Sequence, residues 1–329
     1  MYVPPEEDVV HPYLKKWKEL AKDEKEKFNI AASMQAVTEK IIFDTVNQVI
    51  SACKAKGLEI KNICFSGGVS LNSVAIGKVK SVFKDIDGVF VPPVPYDGGL
   101  SIGACQYHWH NVLGNERNFY FVSPYLGEDY SLEDVNKSLD KKSKDLVVET
   151  GIALKDCVRL LTEKNIVSIF QGRSESGRRA LGNRSILADP RSPDMKDLIN
   201  QKVKHRQWYR PFAPTILEED GKEWFENFHS SPYMGFVFKF KKEKLGITPA
   251  VEHVDESARL QSVNEQQNKP YHDLITEFKK QTGVPIILNT SFNDREPICE
   301  TPDHAVSCFL GTDIDYLYFP EYEILVKKK

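Results

Sequence analysis

Between Gln171 and Arg191 the chain reads QGRSESGRRALGNRSILADPR, placing five arginines (Arg173, Arg178, Arg179, Arg184, Arg191) in 21 residues. Like charges repel in so short a loop, so this is a poor way to build a turn. It is a good way to grip phosphate or carboxylate oxygens bidentately, and an anion site outweighs a merely solvated basic loop. Further on, KVKHRQWYRPFAPT (Lys202 to Thr215) interleaves Lys204, Arg206 and Arg210 with aromatic residues. Such a mix also suits single-stranded nucleic acid. The net charge of −3, from 44 basic and 47 acidic residues, draws no polyanion globally, so a small phosphorylated substrate is the better reading.

Two more polar groups end apolar runs. PAVEHVDESARLQSV holds His253, Asp255, Arg259 and Gln261, and IILNTSFNDREPI carries Asn289, Thr290, Ser291 and Asn293 at the end of an apolar strand. The carboxyl ends of such strands are where open α/β sheets hold ligands, although Asn and Ser also serve there as plain caps. Upstream, FSGGVSLN (Phe65 to Asn72) and PYDGGLSIGA (Pro95 to Ala104) each put two glycines between a strand and a helix. Either is also a common tight connection, and Asp97 an ordinary N-cap. Two such turns together favour a nucleotide site, with Asp97 placed to hold a metal against phosphate oxygens. His108 and His110, two residues apart on a helix, point to different sides and make a poor metal pair.

These groups need a frame. From Ile30 to about Lys56 apolar residues recur at helical spacing (Met34, Val37, Ile41, Val46, Val49), predicting one amphipathic helix ended by Gly57. The strands NICFSG and GVFVPP alternate with the glycine turns and their helices, predicting an α/β layer with parallel strands. Near residue 120 the pattern turns polar, and from 145 onward IVSIFQG, MGFVFKF, VPIILNTSF and YEILV read as strands among helices such as HDLITEFKKQTG, in an α/β or α+β unit. At 329 residues, two domains are the default. Six cysteines without a C-x-x-C pair suit a reducing cytosol, most of them acting as small hydrophobes. The polar leader 1–28 lacks a signal-peptide pattern, and no apolar run approaches the roughly 18 residues that span a bilayer. A soluble cytoplasmic protein without membrane partners is the expectation.

Taken in order, SGGVSLN, YDGGLSIGA, GRSESGRRALGNRSILADPR, RPFAPTIL, HVDESARLQSV and LNTSFN resemble the NodU/CmcH-type O-carbamoyltransferases, from about residue 30 to the C-terminus. The resemblance implies an α/β chain with a partial actin/heat-shock-ATPase-like (ribonuclease H-like) domain at 1–122, a linker at 123–145 and a YrdC-like α/β domain at 146–329. It implies conversion of carbamoyl phosphate to carbamate and, with ATP, to carbamoyl-adenylate in the YrdC-like module. The actin-like module would then pass the carbamoyl group to a hydroxyl of a small molecule, sugar or nucleotide.

On the same resemblance, Lys204, Arg206 and Arg210, with Arg179 and Arg184, hold the phosphates of carbamoyl phosphate and ATP. Asn289, Ser291 and Asn293 orient the adenylating end, and His253 and Arg259 lie beside the carbamoyl group. Gln171, Arg173 and Asn183 extend the nucleotide site. Gly67, Gly68 and Asn72 contact the adenosine, and Asp97 supplies one ligand to a divalent metal, iron or magnesium. The chain departs from the pattern at Ser176 to Arg179, where SGRR stands in place of F-G-P-R. It also departs in showing only the second of the two actin-like halves. The missing half would come from a separate N-terminal partner, or the chain would act as a homodimer; the alternative is a non-catalytic nucleotide-binding subunit. An RNA-binding module is disfavoured by the net charge.

Overall fold

A computed structural model describes residues 12–117 and 123–329, with the side chains of 12–14 left aside. The start of the polar leader and the point near 120 where the pattern changes lie outside the described residues. By contact density the chain forms two compact units, Met1–Ile63 with Lys78–Val89, and Cys64–Gly77 with Phe90–Lys329. No described helix is long and apolar enough to cross a membrane.

The first unit is dominated by the predicted helix, which spans Glu24–Ala55. It starts six residues before the apolar pattern does, because the Asp23 carboxylate caps it by accepting from Glu26 N at 3.0 Å, with Glu24 and Glu26 in the first turn. It ends where Gly57 turns to φ +73°. Phe43 meets Phe83 edge-on at 6.3 Å, and Lys78 pairs with Glu39 at 2.7 Å. Along its apolar stripe Met34, Val37, Ile41 and Val49 are exposed, and Val46 alone is fully buried on this helix.

Two short strands, β1 (Asn62–Cys64) and β2 (Gly88–Phe90), pair with each other in a two-stranded sheet. The larger sheet belongs to the second unit. Its strands are β3 (Leu146–Thr150), β4 (Val167–Phe170), β5 (Arg184–Ala188), β6 (Ala213–Leu217), β7 (Phe236–Lys239), β8 (Ser257–Val263), β9 (Ile286–Ser291), β10 (Tyr316–Phe319) and β11 (Ile324–Lys328), in the order 3-11-10-4-5-9-6-8-7. Only β10–β4 and β6–β8 run parallel, so this is a mixed sheet. Strands β4, β5 and β6 are buried at every position, as strands covered on both faces must be. The helix Lys269–Thr282 covers part of the sheet with Tyr271, Leu274, Ile275 and Phe278. That is helical spacing, and each apolar side chain buried this way contributes about 2 kcal/mol.

The segment from Gly172 to Asn183 joins β4 to β5, and its shape is set by one carboxylate. Glu175 Oε1 accepts from the backbone N–H of Leu181 (2.7 Å), Asn183 (2.8 Å) and Arg184 (3.2 Å), while Oε2 is sealed from solvent without a partner. Burial outweighs these hydrogen bonds and raises the pKa of Glu175 above its ordinary value. Residues 123–127 brace the same loop: Ser176 N donates to Pro124 O at 2.6 Å, Gly127 N to Ser174 O at 3.1 Å, and the Tyr125 hydroxyl to Leu181 O at 2.9 Å. Gly182 sits at φ +115°, where a Cβ would stand 2.2 Å from the Tyr271 ring.

Gly182→Ala is therefore expected to cost about 2–4 kcal/mol in denaturant unfolding, from backbone conformation and overpacking together. Gly283→Ala, at φ +77° with open space around it, isolates the backbone part and should cost only about 1 kcal/mol. Glu175 makes a pH prediction. Its folded pKa lies above the unfolded one, so its contribution is fully present at low pH and declines as pH rises through the carboxylate range. Glu175→Gln keeps an acceptor for the three N–H groups and should flatten that decline, whereas Glu175→Ala strands them and should cost about 2–4 kcal/mol at any pH.

Candidate functional site

Where β5, β9, β6 and β8 lie side by side, the 172–183 loop folds over one sheet face and leaves a cavity of about 110 Å³. It is lined by Arg178, Arg179, Arg206, Arg259, Asn289 and Ser291, with Phe212, Ala213 and Met234 as apolar wall. The two-residue period of strands explains the convergence. Arg259 and Gln261 share a face of β8, Asn289 and Ser291 share a face of β9, and the registers Ala213↔Asn289 and Thr215↔Gln261 put all of them on the same side of the sheet.

Among the described residues, none of the four arginines has a carboxylate partner. Arg206 is held by Nε to Asn200 Oδ1 at 2.7 Å and by its guanidinium over the Phe212 ring at 4.5 Å. Arg178 lies over Tyr96 at 4.4 Å. Arg259 Nε is buried with no hydrogen-bond partner. Burial, then the neighbouring Arg179 and Arg206, pushes Arg259 down to about 9; burial, then Arg210, pushes Arg206 down to about 10. Burial and Arg178 lower Arg179 as well. Guanidinium groups confined together without counter-charge are destabilising alone and strongly favourable once an anion enters.

Asn289 adds a complementary feature. Its amide nitrogen donates to Ala180 O (3.1 Å), Thr215 Oγ1 (3.1 Å) and Gln261 Oε1 (3.0 Å). Gln261 in turn donates to Leu181 O at 2.9 Å, and Tyr271 to Thr215 Oγ1 at 3.0 Å. This network fixes the amide orientation and leaves Asn289 Oδ1 buried without a partner. The cavity thus offers several cationic donors, with Asn289, whose Oδ1 has no hydrogen-bond partner, in its wall.

The other residues singled out by sequence lie around this cavity rather than in its wall. Lys204 is buried and clasps the end of β9, donating to Ser291 O (2.5 Å), Asn293 O (2.6 Å) and Asn293 Oδ1 (3.0 Å); burial pushes it down to about 8. Arg184 is wholly buried, stacked on Phe170 at 3.5 Å and donating to Gln171 O at 2.6 Å, so its guanidinium serves the loop from inside. Gln171 donates to Gly182 O at 2.9 Å, Asn183 to Arg173 O at 2.8 Å, and Arg173 to Gly127 O at 2.5 Å. His253 approaches Ser257 Oγ at 3.3 Å and is lowered by burial. Arg210 is exposed. An adjoining cavity of about 360 Å³ shares Arg178 and Ser291 with the first and is also lined by Asn293. Sequence reasoning counted Arg178 only among the loop arginines and assigned no role to Glu175 or Thr215. An acid embedded among five arginines was the available signal for Glu175; the pairing of Thr215 with Gln261 had none.

The two glycine turns face a third cavity, of about 700 Å³, lined by Ser66, Gly67, Tyr96, Asp97 and Gly99 among others. Gly67 takes φ +93° and donates its N–H to Pro95 O at 2.6 Å, Gly68 begins a short 3-10 helix, and Asn72 Oδ1 accepts from Ala75 N. Gly99 needs to be glycine, since a Cβ there would stand 2.2 Å from Val94 O. Asp97 is the one carboxylate lining this cavity. Among the described residues the one gathering of three His, Cys, Asp or Glu ligand atoms lies elsewhere.

Comparison with known proteins finds family matches over both parts of the chain. The carbamoyltransferase C-terminus family matches residues 158–328 and the carbamoyltransferase N-terminus family residues 7–106. An uncharacterized protein of Synechocystis is 36% identical over 324 residues, covering 89% of this chain and 51% of the relative. Nodulation protein NolNO of Sinorhizobium fredii is 38% identical over 320 residues, covering 92% and 44%. The chain spans about half the length of the curated relatives it matches. A solved structure of full-length HypF in a phosphate- and nucleotide-bound form overlaps 56% of this chain and 22% of that one at 17% identity, with a TM-score of 0.34, too slight a likeness to argue from. With both matches in register with the glycine turns and the arginine-lined sheet face, the chain belongs to the carbamoyltransferase family whose members include the NodU-like nodulation proteins.

Proposed function

We propose that the arginine-lined cavity binds carbamoyl phosphate and that the chain activates its carbamoyl group with ATP for transfer to a hydroxyl. One observation carries this reading: the cavity is lined by guanidinium groups without a carboxylate partner and by Asn289, whose buried Oδ1 has no hydrogen-bond partner. A bare phosphate would satisfy the first and leave the second stranded. Carbamoyl phosphate brings an anionic end and an N–H donor on one small molecule.

In this account water cleaves carbamoyl phosphate to carbamate and phosphate. A carbamate oxygen then attacks the α-phosphorus of ATP, pyrophosphate leaves, and carbamoyl-adenylate forms. An acceptor hydroxyl finally attacks the carbamoyl carbon, AMP departs with the electron pair, and the hydroxyl proton passes to solvent. Arg178, Arg179, Arg206 and Arg259 offset the charge that develops on oxygen in each phosphoryl step. The adjoining cavity with Asn293 is suited to ATP because it shares Arg178 and Ser291 with the first. Lys204, Arg184, Gln171, Arg173 and Asn183 act by holding these groups in place, and His253 lies near enough to Arg259 to feel its charge. Arg210 contributes at most long-range attraction.

We assign the adenosine part of the intermediate to the cavity by Gly67, Gly68 and Asn72, in an actin-like module at 1–122, separated by a linker at 123–145 from a YrdC-like module at 146–329. The family matches at 7–106 and 158–328 support that division. Asp97 could give a metal only one ligand, and no step is routed through it. This incompleteness favours a second reading, in which the chain needs a separate partner to complete transfer, or binds nucleotide without turnover. In either case the acceptor carries a hydroxyl.

With carbamoyl phosphate, ATP and magnesium, the chain should exchange labelled pyrophosphate into ATP only when carbamoyl phosphate is present. Arg259→Ala should lower the exchange by at least about a hundredfold, as loss of a buried transition-state donor does. Arg210→Ala, at an exposed position, should stay within about threefold. ATP binding with no exchange in the unaltered chain would favour the nucleotide-binding subunit instead.

A further inference from the structure

Away from the arginine ring, the loop after β9 and the helix Pro302–Gly311 bring together three side chains that no step above uses. Cys299 and Cys308 are buried, Glu296 is exposed at one side, and their ligand atoms all lie within 4.8 Å of one another. Glu296 and Cys308 line a cavity of about 500 Å³ that opens a path from solvent. Cys299 also lines the adjoining cavity with Ser291 and Asn293.

The geometry points to a site for a thiophilic divalent cation of the zinc type, held by the Cys299 and Cys308 sulfurs and a Glu296 oxygen, with water in the fourth position. Two sulfurs and one oxygen are a set that such an ion prefers, and bonds of about 2.0–2.3 Å to all three require only a small contraction from the present spacing. Cys308 lies in the last turn of its helix, where the backbone dipole also favours positive charge. Binding exchanges two thiol protons for the ion: M²⁺ and two S–H groups give two metal–sulfur bonds and two released H⁺. His304 already accepts from the N–H groups of Glu300 and Thr301 through Nδ1, so it is not needed as a ligand. The bound ion would tie the Asn293–Glu300 loop to the helix behind it, next to the end of β9 that Lys204 clasps. It does not depend on the identity of the substrate.

The test is titration of the reduced full chain with cobalt(II) as a spectroscopic substitute for zinc. A near-ultraviolet thiolate-to-cobalt band that saturates at one equivalent, releases two protons per ion and is displaced by zinc is the expected result. Cys299→Ser and Cys308→Ser should each remove the band or weaken binding on the order of a hundredfold. Glu296→Gln, at an exposed position that should leave folding intact, should weaken binding while keeping the band. Cys105→Ser, an exposed cysteine outside the cavities described, should leave the band unchanged. Absence of the band in the unaltered chain, its persistence in Cys299→Ser, or recovery of the two thiols only as a disulfide would overturn the assignment.

Discussion

Everything around the arginine cavity answers one electrostatic constraint: guanidinium groups that repel each other must be held together, partly out of water, with no carboxylate among them. Buried charge of one sign destabilises the chain that carries it, so the frame has to be rigid before a ligand arrives. That frame is made of neutral hydrogen bonds. Asn289, Gln261, Thr215 and Tyr271 form one network under the cavity floor. Glu175, the one acid in the loop, turns inward to backbone N–H groups rather than outward to neutralise an arginine. A carboxylate facing the ring would have stabilised the free protein and competed with the substrate.

The division of labour within the loop was only half visible in the residues. Arg173, Arg178, Arg179, Arg184 and Arg191 look alike in sequence, and no spacing rule separates them. In the fold, Arg178 and Arg179 reach the cavity, while Arg184, first residue of β5, points into the core against Phe170. Arg191 leaves the site altogether for Asp189, at 2.6 Å. Lys204 is the same case from the other side: a basic residue in a basic stretch, whose four oxygen neighbours come from the end of a strand and the turn after it, about ninety residues away. Arg259 and Asn289 were easier to place, because a polar residue in an apolar strand has to face a ligand or a network.

Secondary structure was largely legible. The strands at IVSIF, FVFK, IILNTS and ILV and the helix over HDLITEFKKQT lie where period and caps predict them. Sheet order was not, since nothing local tells β9 to sit between β5 and β6. The long helix shows a different limit: its periodicity is genuine, yet Met34, Val37 and Ile41 remain exposed, because period reports that a face is apolar and not what covers it. Cysteine spacing was silent for a related reason: Cys299 and Cys308 have no metal-type spacing in sequence and meet only because a helix carries one back over the other.

The central claim is that the cavity is built for an anion with an N–H donor, and competition between carbamoyl phosphate and acetyl phosphate tests it most directly. The two ligands share charge and shape and differ in an amino group against a methyl. Calorimetric titration should show carbamoyl phosphate binding about ten- to a hundredfold more tightly, the worth of satisfying one buried acceptor. Equal affinity would mean that Asn289 Oδ1 does not read the ligand, and that the arginines mark a general phosphate site.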